Sequence, residues 1–231
     1  LFFGYSAVLS VQKDGEVWVT EKVSSKQIMD LIIQQGTSFQ PGEKIAYSNS
    51  TYYPLTKILE EKYRMPFQKI VSEEVIKPRR LKNLTSFKPD QKNVFLPYRY
   101  NDNTWSPLEK DLDFLNVIGV RDIAATSYDL NIFVNSLFHK NILRKETLPL
   151  MEPVIGKEVL GRGIAVWDFD GTIFYGHGGD TLGSHAVLIN IKEADISIAY
   201  NTNGERIKKE DFIKNIVNLL YHREVKLPEL K

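Results

Sequence analysis

Two short stretches of this 231-residue chain carry the side chains best suited to chemistry. In the first, Tyr47, Ser48 and Asn49 place a phenol, a hydroxyl and a carboxamide in succession. Pro41-Gly42 precedes them, a turn signal because proline presets φ and glycine accepts a positive value. Leu55, Ile58, Leu59, Lys62 and Tyr63 follow at helical spacing, with Pro54 early enough for a first turn. The spacing predicts an exposed polar triplet between a turn and a helix start, able to face a ligand while the helix anchors it. Ser48, Asn49 and Ser50 are equally of the types that cap a helix N-terminus, so residue type alone leaves both roles open. The second stretch, Tyr175 to Ser184, reads YGHGGDTLGS and leads into the apolar run Ala186 to Ile191. Glycines this dense ahead of a β-type run predict a strand whose backbone something else approaches closely.

Taken in order, the Pro-Gly turn into Tyr-Ser-Asn and the later His-Gly-Gly, Thr-Leu-Gly and strand pair resemble one superfamily. It is that of the serine β-lactamases, penicillin-binding proteins and related esterases. The likeness runs from about Ser24 to Tyr221. It implies an α+β, β-lactamase/transpeptidase-like fold, an antiparallel sheet flanked by helices plus a helical lobe. The resemblance also implies a serine hydrolase with an acyl-enzyme mechanism, acting on a β-lactam, a D-alanyl peptide or an ester and needing no cofactor. Tyr47 would be its general base or acid, and Asn49 would hydrogen-bond the substrate amide and the family's lysine. His177 stands where most relatives carry lysine and some histidine, and would keep the local field positive or pass protons to Tyr47. Ser48, Gly178, Gly179 and Asp180 would bind substrate, with Gly178-Gly179 admitting its backbone and the Asp180 N–H donating to the oxyanion. A carboxylate at Asp180 departs from the small neutral residues usual there, and is expected to repel an anionic substrate. A cell-envelope or secreted location follows from the same likeness.

The nucleophile is the part of the pattern that departs. The family's serine opens a Ser-x-x-Lys motif on a buried helix upstream of the tyrosine. Here the sole Ser-x-x-Lys is Ser10-Val11-Gln12-Lys13, beside Asp14-Gly15 and among Val11, Val17, Trp18 and Val19. Asp-Gly between such runs predicts a hairpin, not a helix interior. Val23 then passes almost directly to Ser24 and the first helix, so a nucleophile segment is expected to be absent near the Val23–Ser24 junction. Two readings follow. One is a hydrolase whose nucleophile segment these residues do not represent; the other is a non-catalytic relative that binds a peptide or peptidoglycan-like ligand. A third competes from Ile164 to Ile173, IAVWDFDGTI, which resembles the nucleophile loop of the magnesium-dependent haloacid-dehalogenase phosphatases. Spacing weighs against it, because only two strands and one helix follow, and Asp-Gly between short strands is a common hairpin turn.

Composition narrows the rest. With 42% hydrophobic residues the chain can bury a sizeable core, and a net charge of +1 gives no field suited to nucleic acid. The absence of cysteine removes disulfides and thiolate chemistry, and His139, His177, His185 and His222 lack metal-ligand spacing. No apolar run approaches the roughly twenty residues that span a bilayer. An opening Leu1 in place of methionine predicts a trimmed or processed product.

The elements that must position these residues are readable in outline. Two strands are expected before Val23, then helices over Ser24 to Gln35, from the tyrosine triplet to Arg64, and from Pro66 until Pro78 stops it. Lys82 to Ile118 is expected to be a long loop, either a functional wall or lid or an extended surface wrap whose aromatics pack on the core. A helix from Ser127, a short one over 146–152, an antiparallel meander from Ile164 to Tyr200 and an amphipathic C-terminal helix complete the expectation. The chain should form one domain, with a sheet lobe over about 1–23 and 160–231 and a helical lobe over 24–159.

Overall fold

The computed structural model describes residues 22–86, 94–108, 113, 115–139, 142–153, 159–181 and 183–230. The expected opening strand pair and Ser10-x-x-Lys13 lie outside them. The described residues divide into two compact units, one holding those of 22–86 and 113–129, the other those of 94–108 and 130–230. No helix among the described residues is long and apolar enough to cross a membrane.

In the first unit, helix α1, Ser25–Gln34, starts where the sequence places it. Ser24 and Gln27 form a reciprocal capping box that satisfies two N–H groups the helix itself cannot, and Gly36 closes the other end at φ 66°. Its Ile28 and Ile32 pack with Tyr53 and Ile118 into a buried cluster. Helix α2, Tyr52–Tyr63, ends at Arg64, which takes a left-handed φ of 54°. The buried face of α2 is not the one its apolar spacing suggests. Tyr53 and Thr56 are buried while Leu55 and Ile58 are exposed. Thr56 packs against Gly119, where a Cβ would lie 2.3 Å from Thr56 Cγ2.

Pro78 does not stop the next helix. The chain runs as Phe67–Ile70, a π-helical stretch Val71–Ile76 and Lys77–Arg79 before Arg80 turns left-handed. Proline lacks the N–H that the Glu74 carbonyl would meet one α-turn on. Arg79 Nη1 donates to that carbonyl at 2.7 Å and to Val75 O at 3.0 Å, so the helix continues past the proline.

The second unit is built on a four-stranded antiparallel meander, β1 (Ala165–Phe169), β2 (Thr172–Thr181), β3 (Ser184–Ile191) and β4 (Ile196–Thr202), paired in that order. One face carries Phe174, Val187, Ile189 and Ile191, buried against Ile213 and Val217 of the C-terminal helix α4, Lys209–Leu220. Helix α3, Ser127–His139, belongs to this unit from Leu130 onward and ties to β4 through Asn131 Nδ2, which donates to Ser197 O at 2.8 Å. The glycine cluster lies inside β2. Gly176 explains why a strand tolerates it: a Cβ there would sit 1.9 Å from Leu188 O on β3. The close approach comes from the chain's own neighbouring strand.

Part of the expected long loop is also ordered differently. Tyr98–Asn101 and Thr104–Pro107 pair as a hairpin whose central residues, Asp102 and Asn103, have φ of 47° and 60°. Both side chains tolerate the left-handed region, so a type I′ turn forms without glycine. Its Trp105 ring lies against Gly204, where a Cβ would be 2.4 Å away.

Candidate active site

Pro41-Gly42 forms the expected turn, with Gly42 at φ 85° and Glu43 N–H donating to Gln40 O at 3.1 Å. Beyond it, the tyrosine triplet is not uniformly exposed. Tyr47 is 55% exposed, whereas Ser48, Asn49 and Ser50 are buried. The Tyr47 hydroxyl donates to Asn49 Oδ1 at 2.6 Å. That bond decides between the two roles the sequence leaves open, since α2 has no side-chain cap and its N-cap residue is Thr51. Asn49 contributes only its backbone carbonyl, which accepts the Tyr52 N–H at 3.1 Å. A buried carboxamide therefore fixes the orientation of an exposed phenol. Ser48 Oγ is buried without a hydrogen-bond partner among the described residues. Tyr52, which no motif or spacing marks, is a second phenol here. Burial raises its pKa and the neighbouring Tyr47 adds to the rise, which keeps Tyr52 protonated.

In the second unit, His177, Gly178, Gly179 and Asp180 follow one another along β2. Two tight connections fix which way their backbone groups point. Phe169 and Thr172 close the β1–β2 hairpin across Asp170 and Gly171, both at positive φ. Thr181 and Ser184 close the β2–β3 hairpin two residues apart. In a two-residue hairpin the closing pair is hydrogen-bonded, and N–H and C=O directions alternate along a strand. Even-numbered residues of β2 therefore aim their backbone groups to the β1 side, odd-numbered ones to β3. Strand β1 stops pairing at Gly176, whereas β2 continues to Thr181. The N–H groups of Gly178 and Asp180 thus point beyond the end of β1, along an edge of the sheet that no described strand covers. Glycine at 179 is not demanded by this chain, because a Cβ there would meet nothing within 4 Å.

His177 Nδ1 lies 2.8 Å from Gly178 O. A carbonyl oxygen only accepts, so Nδ1 carries the proton and, in the neutral ring, Nε2 carries the lone pair.

The Asp180 carboxylate is not the isolated charge that the sequence suggested. Lys209 Nζ donates to its Oδ1 at 2.6 Å and Oδ2 at 2.9 Å, and His185 Nδ1 lies 2.6 Å from Oδ1. Asp180 and His185 are cross-strand register partners. Burial alone would raise the Asp180 pKa, but the hydrogen bonds from Lys209 and His185 outweigh it and hold the carboxyl below its ordinary range. An acid with a depressed folded pKa stabilises the fold above its unfolded value and ceases to as pH falls through the folded one. Wild type should accordingly exceed Asp180→Asn in urea midpoint at pH 7, and this advantage should vanish as pH falls through and below the ordinary carboxylate range. A constant difference across that range would show that charge is not what Asp180 contributes.

Lys209 left no trace in sequence spacing, being 29 residues from Asp180. His185 did leave one, since a two-residue turn before Ser184 sets 180 opposite 185.

The Asp-x-Asp-Gly-Thr segment forms a tight antiparallel hairpin. Asp168 Oδ1 accepts the Gly171 N–H at 2.8 Å, and Asp170 pairs with Lys214 at 3.2 Å. A phosphatase loop would instead lead from a strand into a helix of a doubly wound sheet, so these aspartates serve the turn.

The sequence model of the family described as Beta-lactamase matches residues 5–223. No curated protein sequence matches the chain. Among solved structures, the D-stereospecific amidohydrolase from Streptomyces sp. superposes with a TM-score of 0.72 at 20% identity, covering 87% of this chain and 65% of its own. The D-amino acid amidase from Ochrobactrum anthropi SV3, solved with L-phenylalanine amide, gives 0.68 at 17% identity, over 87% of this chain and 62% of the amidase. The penicillin binding protein from Bacillus halodurans gives 0.76 at 19% identity, over 94% and 70%. At these identities the likeness shows the fold, α+β and β-lactamase/transpeptidase-like. The chain spans less than two thirds of the length of the amidohydrolase and the amidase.

Proposed function

The chain belongs to the β-lactamase family, within the serine hydrolase superfamily of amidases and penicillin-binding proteins, and from that premise we propose that it serves acyl transfer from a small amide, β-lactam, D-alanyl peptide or ester. The observation that carries the reading is Tyr47, a residue 55% exposed whose hydroxyl is oriented by a buried Asn49 at 2.6 Å. In its phenolate form that side chain would take the proton of a nucleophilic serine as the acyl C–O bond forms, and return it to the leaving group as the scissile bond breaks. Asn49 would hold that phenol and the substrate amide, while Ser48, its hydroxyl buried, would meet substrate through its backbone. Along β2, Gly178 and Gly179 would admit an extended substrate backbone at the uncovered edge. The Asp180 N–H would donate to the developing oxyanion, and His177 would offer the edge a proton-accepting ring.

The serine is the piece the reading must supply. Ser10 lies outside the described residues, and the relatives' greater length leaves room for a nucleophile-bearing segment that these residues do not represent. A second reading, a ligand-binding relative without turnover, draws on the Val23–Ser24 junction. Val23 N–H donates to Asn116 Oδ1 at 3.3 Å and Ser24 caps α1, so both sides of the junction are held.

Intact-protein mass before and after exposure to a fluorophosphonate or penicillin probe separates the two. A mass above the 26.6 kDa of these residues with one stoichiometric adduct supports the hydrolase. A mass equal to it with no adduct overturns the hydrolase and leaves the binding relative.

A further inference from the structure

We propose that Lys209 is a specificity-determining residue that masks the Asp180 carboxylate and so lets the uncovered edge of β2 accept ligands bearing a negative charge. The inference rests on the reading of that edge as substrate-binding.

Backbone directions alternate along β2. Asp180 aims its backbone N–H along the edge, while its side chain shares a sheet face with Phe174 and is tied to the first residue of α4. A carboxylate this close to its own N–H would oppose any anion approaching that N–H, and the opposition is strongest where water is excluded. Lys209 removes it. The residue is 8% exposed, its ammonium spans both carboxylate oxygens, and its stem borders a cavity of about 60 Å³ with Phe174, Gly178, Val187 and Ile213. The charges around it are accounted for. His185 meets Asp180 Oδ1 from β3, Glu210 Oε1 lies 3.3 Å from Lys209 Nζ, and Glu205 Oε1 accepts the Lys209 backbone N–H at 3.0 Å. Two carboxylates face one ammonium, so loss of Lys209 makes the edge more negative and leaves Asp180 with the His185 ring as its remaining donor. The helix start thereby sets how negative the field is at a strand edge it does not itself form.

Lys209→Met keeps the stem and deletes the charge. Calorimetric titration with N-acetyl-D-alanyl-D-alanine and with its neutral C-terminal amide reads the effect. Wild type should bind both. Lys209→Met should bind the carboxylate form at least tenfold more weakly and the amide within about twofold, and Asp180→Asn/Lys209→Met should restore the carboxylate form. Equal weakening of both ligands by Lys209→Met, no weakening, or no restoration in the double variant overturns the proposal while leaving the edge a binding site. Wild type that binds neither form overturns the edge reading itself, and this inference with it. If circular dichroism shows Lys209→Met unfolded, Asp180→Asn alone decides: it should bind the carboxylate form at least as tightly as wild type, and weaker binding overturns the mask.

Discussion

Replacing Tyr47 by phenylalanine is expected to slow acylation by a fluorophosphonate or penicillin probe by about 10²–10⁴-fold, the range typical of a lost acid–base group. The substitution removes one oxygen from a side chain that is 55% exposed. Packing loss is therefore small, and it adds little to any fall in melting temperature. One cost remains, because Asn49 Oδ1 loses the hydroxyl that donates to it at 2.6 Å. Asn49 is buried, so an unmet acceptor there costs about 1–3 kcal/mol unless water replaces the phenol. Asn49→Ala offers the complementary result. It leaves the phenol chemically intact but unoriented, so the rate should fall while Tyr47 is still present. A Tyr47→Phe variant acylated at the wild-type rate would remove Tyr47 from the proposed chemistry, whatever the fate of Asn49. Time-resolved intact mass measures all three proteins.

The second large effect concerns stability and separates glycines that look alike in the sequence. Gly176→Ala should destabilise the protein by about 3 kcal/mol or more, because its Cβ would stand 1.9 Å from Leu188 O and 2.9 Å from Ile189 Cα. Those are backbone atoms of the paired strand and cannot swing aside. The β2–β3 ladder would have to part. Gly179→Ala meets nothing within 4 Å and has a strand conformation, so it should change stability by no more than about 1 kcal/mol. A ligand backbone lying against the strand would meet that methyl group, however, and ligand affinity should fall about tenfold. Urea denaturation and ligand titration of the two variants test this directly. If Gly179→Ala alters neither stability nor affinity, no ligand lies against that part of the strand.

These contrasts mark how far the sequence could be read. The helix over Ser24 to Gln35 was legible because both of its ends are specified within a few residues, by the cap at Ser24 and the left-handed Gly36 that the structure shows. The order of four antiparallel strands was legible for the same reason, since each connection is short and the segments between them alternate or run apolar. The face on which α2 is buried was not. Leu55 and Ile58 are more apolar than Thr56, yet Gly119, far along the chain, brings its backbone against Thr56. Pro78 misled for a related reason: an arginine side chain took over a carbonyl that proline leaves without its α-helical partner. The Asp102-Asn103 hairpin was hidden because neither residue is glycine.

By itself the sequence determined the family, the motifs and the local elements, because those depend on residue type and short-range spacing. Only the tertiary structure decided that Tyr47 is exposed while Asn49 beneath it is buried, and that Asp180 is neutralised by Lys209 from another element. Both are matters of burial and charge, and both are set by which distant segments pack together, a quantity that no local pattern encodes.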